Sequence, residues 1–551
     1  MANVAAKKMQ DVQHQEEKPE KVPSSGHSSD TAPGSDNAPT HDKAESPTTR
    51  EDGKIEIKEE DCWDKLGYSF SPFRKWTILT VIFWVQVSMN FNTSVYSNAV
   101  EPLTKAFVIS GQAARVGQMI YLVAYAFGSE LWAPWSEDLG RWPVLQLSLF
   151  LVNVWEIPCA LAPNYSTIIG FRFLGGLSSA GGSVTLGLIA DMWEADDQQY
   201  AVAFIVLSSV GGSVLGPIVG AFVQRWLSWH WNFWVQLIFG GAVQLAHFFL
   251  VPETRSTIIL DREAKKRRKA TGENIWGPNE LKENRFSPKE ILATWGRPFE
   301  MFIREPIVLC LSLLSGFSDA LIFTFLESFQ PVYEQWNFGT TAQGLAFIPV
   351  LIGYFLAWVS FFPFFARHNK IRARDPNALQ PEARLYWLLY LAPLEAIGLF
   401  GFAWTSLGPA YNVHWIAPMI FSMLIGAANY AIYMATIDYM IASYGPYSAS
   451  ATGGNALARD FLAGIAAMYA TPFYTDVGNG HAKFKLEWPS TILACLAIIV
   501  TVPIYIFYWK GPYIREKSKF AQTLASDRKE HGGRRVESVG AKAEAGHMED
   551  A

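Results

Sequence analysis

Tyr165-Ser-Thr-Ile-Ile-Gly-Phe-Arg172-Phe-Leu-Gly-Gly176 opens one long apolar run, and Gly211-Gly-Ser-Val-Leu-Gly216-Pro217-Ile-Val-Gly220 lies in the next. The acidic turn Asp191-Met-Trp-Glu-Ala-Asp-Asp197 joins them. Each run is long enough to cross a bilayer as a helix, which takes about 20 residues. An arginine inside such a helix costs roughly 2.5–3.5 kcal/mol on insertion, so Arg172 is expected to face the protein interior and to have a task there. Gly175, Gly176, Gly181 and Gly182 in the first run, and Gly212, Gly216 and Gly220 in the second, leave helix faces bare for close packing. Pro217 removes a backbone donor and bends its helix, which a membrane tolerates where neighbours compensate. Each glycine taken singly is ordinary membrane packing, and Arg172 alone could serve a structural ion pair. Together they read as the working parts of a transporter.

The same reading extends along the chain. Twelve spans are expected, at 76–97, 114–135, 143–162, 165–190, 200–223, 231–251, 306–330, 341–366, 385–405, 413–437, 447–471 and 488–509. The fold class is therefore all-α integral membrane, with two six-helix bundles at 61–251 and 305–510 around a polar central loop at 252–304. Residues 1–60 are poor in large apolar groups and are expected to be a disordered tail, with a second tail at 511–551. Charged residues make up only 17% of the 551 residues and concentrate in the tails and the central loop. Lys and Arg crowd the loops on the side of the termini, which places both tails and the central loop in the cytoplasm. The run Arg262-Glu-Ala-Lys-Lys-Arg-Arg-Lys269 reads as a solvated helix near anionic lipid. A net charge of −5 argues against nucleic acid as a partner. The four cysteines have no metal or redox spacing, no phosphate-binding loop occurs, and no nucleophile–base pair of an enzyme is visible.

The turn Trp132-Ala-Pro-Trp-Ser-Glu137-Asp138-Leu-Gly140-Arg141-Trp142-Pro143, with Arg172-Phe-Leu-Gly-Gly and Gly212-x-x-x-Gly216-Pro217-x-x-Gly220, resembles motifs of the major facilitator superfamily. The match is to its fungal twelve-span drug:proton antiporter branch, which includes multidrug and polyamine exporters. Pro252-Glu-Thr, Arg297-Pro-Phe-Glu300 and Tyr444-Gly-Pro-Tyr-Ser-Ala-Ser-Ala451 with Asn455 and Arg459 extend the likeness over most of residues 68–510. Asp138 and Trp142 depart from it, standing where the family usually has basic residues.

The resemblance implies a proton-coupled exporter that needs no cofactor beyond a proton gradient. Its partners would be a small-molecule cargo, protons and the bilayer, and it would act as a monomer in the plasma membrane or, alternatively, the vacuolar membrane. Small hydrophobic compounds are the expected cargo, with polyamines as an alternative and a non-transporting membrane sensor as a weaker one. Glu137, Gly140, Arg141 and Asp191 are expected to gate the cytoplasmic side, Asp191 pairing with Arg141, while Gly212, Gly216, Pro217 and Gly220 shape a sealing interface. Asn90, Arg172, Glu327, Tyr333, Asn455 and Arg459 are expected along the cargo and proton path. Glu327, with Phe329 and Tyr333 behind it, is the leading cavity-facing acid, and Arg172 is expected to tune a nearby carboxylate. Asn92, Glu130, Glu156, Asp319, Glu395 and Asp460 also lie in spans and need partners there.

Overall fold

The computed structural model describes residues 54–521 apart from 180, 194–197, 282–287, 376–377, 478–483 and 519. The expectations for residues 1–53 and 522–551 and for the acidic turn at 194–197 lie outside these described residues. Among them, nine helices are long and apolar enough to cross a membrane. Three further expected spans are helical, two of them more polar and one interrupted. The second, Gly111–Asp138, carries Glu130 and Glu137, and the eleventh, Ser448–Asp476, is rich in Gly and Ala. The fourth is divided into Tyr165–Ser178 and Gly181–Ala190, with extended backbone at Ser179.

Packing repeats between the halves. The first span (Pro72–Val95) packs on the fifth (Gln199–Trp226), the second on the fourth, and the third (Arg141–Ala160) on the sixth (His230–Leu250). In the second bundle the seventh (Pro306–Tyr333) packs on the eleventh. The eighth (Ile348–Arg372) packs on the tenth (Ile416–Tyr444), and the ninth (Pro393–Thr405) on the twelfth (Glu487–Glu516). The bundles meet where the second span lies on the eleventh and the fifth on the eighth. The same pairing of helices in both halves is an internal repeat, with one seam where the two bundles meet.

The glycine stripe has a local cause. A Cβ at Gly212 would lie 2.7 Å from the Val87 carbonyl oxygen, one at Gly220 would meet the Asn98 side chain, and Gly216 lies against Ser94. Removing those side chains lets the first and fifth spans approach backbone to backbone, and Ser94 Oγ reaches the Gly212 carbonyl at 3.4 Å.

One correction concerns the tail. Residues 54–60, expected to be disordered, begin an ordered strap. Ile55–Glu56 pairs in parallel with Ile275–Trp276 of the central segment, and a 3₁₀ stretch, Glu59–Lys65, follows. Ile57 and Cys62 are buried against Leu260 and Ala264 of the helix Ser256–Thr271. Lys65 pairs with Glu263 at 2.8 Å, and that hydrogen bond holds the Glu263 carboxyl below the usual carboxylate range. Farther along, Tyr68 donates to the Ala190 carbonyl at 2.9 Å, at the end of the fourth span. The few apolar side chains after residue 54 find an apolar face on the central helix. That contact offsets the ordering entropy that composition alone counted against them.

Candidate functional site

Arg172 is 1% exposed and enclosed within the first bundle. Its Nε donates to the Gly117 carbonyl at 3.2 Å, and its Nη1 to the Asn92 carbonyl at 3.1 Å and to Asn92 Oδ1 at 2.8 Å. The guanidinium also lies between two rings, 4.6 Å from the Tyr96 centroid and 4.2 Å from that of Tyr121. Carbonyls and aromatic faces thus replace water around the buried cation. Asn92 Nδ2 in turn donates to Glu156 Oε1 at 2.7 Å. One amide therefore links the acid of the third span to the arginine of the fourth. Asn90, two residues away, turns instead toward its own helix, donating to the Gln86 carbonyl at 2.9 Å.

Where the third span begins, Arg141 Nε meets Asp191 Oδ2 at 2.9 Å and Nη1 donates to Ser136 Oγ at 2.6 Å. Arg255 approaches the other oxygen of Asp191 at 3.4 Å. Gly140 adopts φ +107°, and a Cβ there would run into Glu253. The Glu253 carboxylate accepts from the backbone N–H groups of Arg141, Trp142, Thr254 and Arg255. A carboxylate at a helix N-terminus satisfies otherwise orphaned donors. It is the middle residue of Pro252-Glu-Thr.

A cavity of about 660 Å³ opens at this end of the seam, which is also the end that carries the strap. Glu130, Glu137, Arg141, Asp191, Tyr433, Asn455 and Arg459 line it, with Glu59, Trp63 and Tyr68 of the strap at its rim. Arg459 is paired with its neighbour Asp460 at 3.0 Å and lies 4.4 Å over the Tyr433 ring. Asn455 is fully buried, and neither of its side-chain polar atoms has a hydrogen-bond partner among the described residues.

At the opposite end a second cavity, about 700 Å³, holds Glu327. Arg115 of the second span meets Glu327 Oε2 at 2.8 Å, and Thr471 donates to the same oxygen at 3.0 Å. The acid thus bridges the two bundles through an ion pair. Phe329 also lines this cavity. Tyr333 is fully buried and packs with Phe329, Trp336 and Phe338 in the aromatic core of the second bundle. Pro217 reaches this cavity as well, and Gly344 of the short helix Thr340–Leu345, just before the eighth span, packs against its carbonyl. The expected path residues are therefore divided. Glu327 lines one cavity and Asn455 and Arg459 the other, while Arg172, Asn90 and Tyr333 line neither.

The family model of the Major Facilitator Superfamily matches residues 82–468. The chain belongs to this superfamily. It is 30% identical over 460 residues to the "MFS-type transporter kojT" of Aspergillus flavus, covering 82% of this chain and 80% of that one. It is 31% identical over 398 residues to the "Efflux pump atB" of Aspergillus terreus, covering 71% and 81%. Among solved structures, the proton:xylose symporter XylE superposes with a TM-score of 0.54 at 19% identity, over 80% of this chain and 96% of that one. The family fold of two repeated bundles is therefore that of this chain.

Within this superfamily fold, the sequence reading passed over one cluster. Arg384, just before the ninth span, pairs with Asp438 near the end of the tenth. Gln199 of the fifth span donates to the same carboxylate at 2.8 Å, so Asp438 ties the bundles together. The pairing repeats Arg141–Asp191, since the ninth and tenth spans stand in the second bundle where the third and fourth stand in the first. An arginine entering the third helix of each repeat was the available signal.

Proposed function

We propose that this chain is a proton-coupled exporter of small, mostly hydrophobic molecules, working as a monomer in the plasma membrane with both tails in the cytoplasm. The observation that carries this reading is the pair of cavities, about 660 and 700 Å³, at opposite ends of one inter-bundle seam. Cross-bundle contacts lie at both ends, Gln199–Asp438 at one and Arg115–Glu327 at the other. Breaking one set while keeping the other exposes a single cavity at a time, which is what alternating access requires. No covalent chemistry is needed, only a proton site whose occupancy differs between the two states.

Asn92 supports a role for Glu156 as that site, because it passes any change at the carboxylate to Arg172. The relative named an efflux pump supports the outward direction. The basic helix Ser256–Thr271 supports a cytoplasmic central segment.

Inverted membrane vesicles test the coupling directly. Accumulation of an apolar dye should require an imposed pH gradient and collapse with a protonophore. Equal accumulation without a gradient would sink proton coupling. An epitope at Ala270 tests orientation, and cleavage there by protease added to intact cells would reverse the topology.

A further inference from the structure

The cavity beside the strap contains an acid that the coupling scheme does not use. Glu130 sits on the second span and is 6% exposed, with its carboxylate against the eleventh span across the seam. A Cβ at Gly453 would fall 2.5 Å from Glu130 Oε1 and 2.8 Å from Oε2, so the carboxylate rests against bare backbone and would have to shift for any side chain there. Glu130 Oε1 has no hydrogen-bond partner, and Glu130 makes no ion pair among the described residues. The arginines around the cavity are committed elsewhere, Arg141 and Arg255 to Asp191 and Arg459 to Asp460. A buried carboxylate without a partner is costly, and such groups are retained where something else completes them.

We propose that Glu130 is the anchor for the charged end of the cargo, and that the cargo of this cavity is an amphipathic organic amine. The assignment rests on the transport reading above and names its substrate class. The ammonium donates to Glu130 at the seam. The apolar body lies along Leu186, Tyr433, Ile437 and Ile441, which line the same cavity, while Trp63 and Tyr68 stand at its rim. Asn455, with both polar atoms unmatched, supplies a hydrogen bond to a carbonyl or hydroxyl of the same molecule. A cavity that joins an apolar wall to convergent polar groups is the usual form of a small-molecule site. Glu137 lies two turns along the same helix, toward the mouth, and guides the cation inward.

The test is equilibrium binding to the purified full-length chain, with no gradient, using two fluorescent probes that share one body. One is the dansyl derivative of a five-carbon diamine, which keeps a free ammonium, and the other is its N-acetylated neutral form. The wild-type protein should bind the amine about tenfold or more tightly than the neutral form, the worth of one charged hydrogen bond. Glu130→Gln should abolish that preference while leaving the neutral probe's affinity unchanged, which also shows that the variant is folded. Gly453→Ala, which crowds the carboxylate, should weaken the amine selectively. No preference in the wild type, no binding of either probe, or a preference that survives Glu130→Gln would each overturn the proposal. Binding that behaves as expected without gradient-driven flux would overturn the exporter reading and leave this site standing.

Discussion

Each bundle links a carboxylate of its third helix to its fourth helix through a polar side chain of its first. In the first bundle the chain of contacts is Glu156, Asn92 and Arg172, at 2.7 and 2.8 Å. In the second it is Glu395, Ser318 and Asn429, with Ser318 Oγ bonded to Glu395 Oε1 and Asn429 Nδ2 donating to Ser318 at 3.1 Å. The route through the helices is the same, but its end differs. The first network ends on a permanent cation between two tyrosine rings, and the second on a neutral amide. A charge change at Glu156 is felt by a fixed charge one amide away, whereas at Glu395 it meets only dipoles. The duplicated frame shows which features belong to the fold, and the departure from it points to where the chemistry is placed.

The largest expected effect comes from removing the cation. Arg172→Ala should eliminate proton-driven flux while the protein still reaches its membrane. Arg172→Lys should recover little, because an ammonium lacks the planar fork that spans Gly117 and Asn92 between two rings. Wild-type flux in the alanine variant would erase the distinction between the bundles.

Next comes the paired neutralisation of the two acids. Glu156→Gln should lower gradient-driven uptake about tenfold or more, since it removes a charged partner. Glu395→Gln should stay within about twofold, because an amide can still accept from Ser318. Equal losses in both variants would show the asymmetry to be without consequence.

A smaller effect separates the two arginine–aspartate pairs. Arg141–Asp191 lies within one bundle, while Asp438 also holds Gln199 of the other. Gln199→Ala should cost the closed seam about 1 kcal/mol, roughly a fivefold shift in the opening equilibrium. The readout is faster alkylation of a cysteine introduced at Ile441, a residue lining the adjoining cavity. An unchanged rate would mean that this contact does not hold the bundles together.

The smallest effect is expected at Gly140, where φ +107° and the nearby Glu253 carboxylate oppose a side chain. Gly140→Ala should lower stability by about 1 kcal/mol, seen as a drop of about 1 °C in thermal unfolding of a chain this long. No change would mean that the turn relaxes freely.

These pairs also show what was readable in the chain. Arg172, the glycine stripe and the Gly140-Arg141 turn announce themselves, because an arginine or a row of glycines in an apolar run has few explanations. The pairing of Arg141 with Asp191 was expected from their places, one at the start of the third span and the other at the end of the fourth. Asp438 was missed for a local reason: the tenth span was expected to stop at 437, and its helix continues to Tyr444. Arg115, at the start of the second span, belongs to no motif, although it pairs with Glu327, 212 positions away. Glu130 was visible as an acid in need of a partner, but the glycine beneath it belongs to another bundle. Composition and periodicity report what a helix is, whereas contacts across a seam depend on how two halves meet.

The strap has a consequence for local concentration. Residues 54–70 are fastened to the central helix at one end and to the fourth span at the other, beside the cavity mouth. Anything attached to the strap between Glu59 and Lys65 is therefore held near that mouth, since Glu59 and Trp63 line the cavity. A group confined to such a volume meets the cavity at millimolar effective concentration, however scarce the protein is in the membrane. A basic or apolar group placed there would compete with free cargo as a tethered ligand, and its influence would not be diluted by lowering expression.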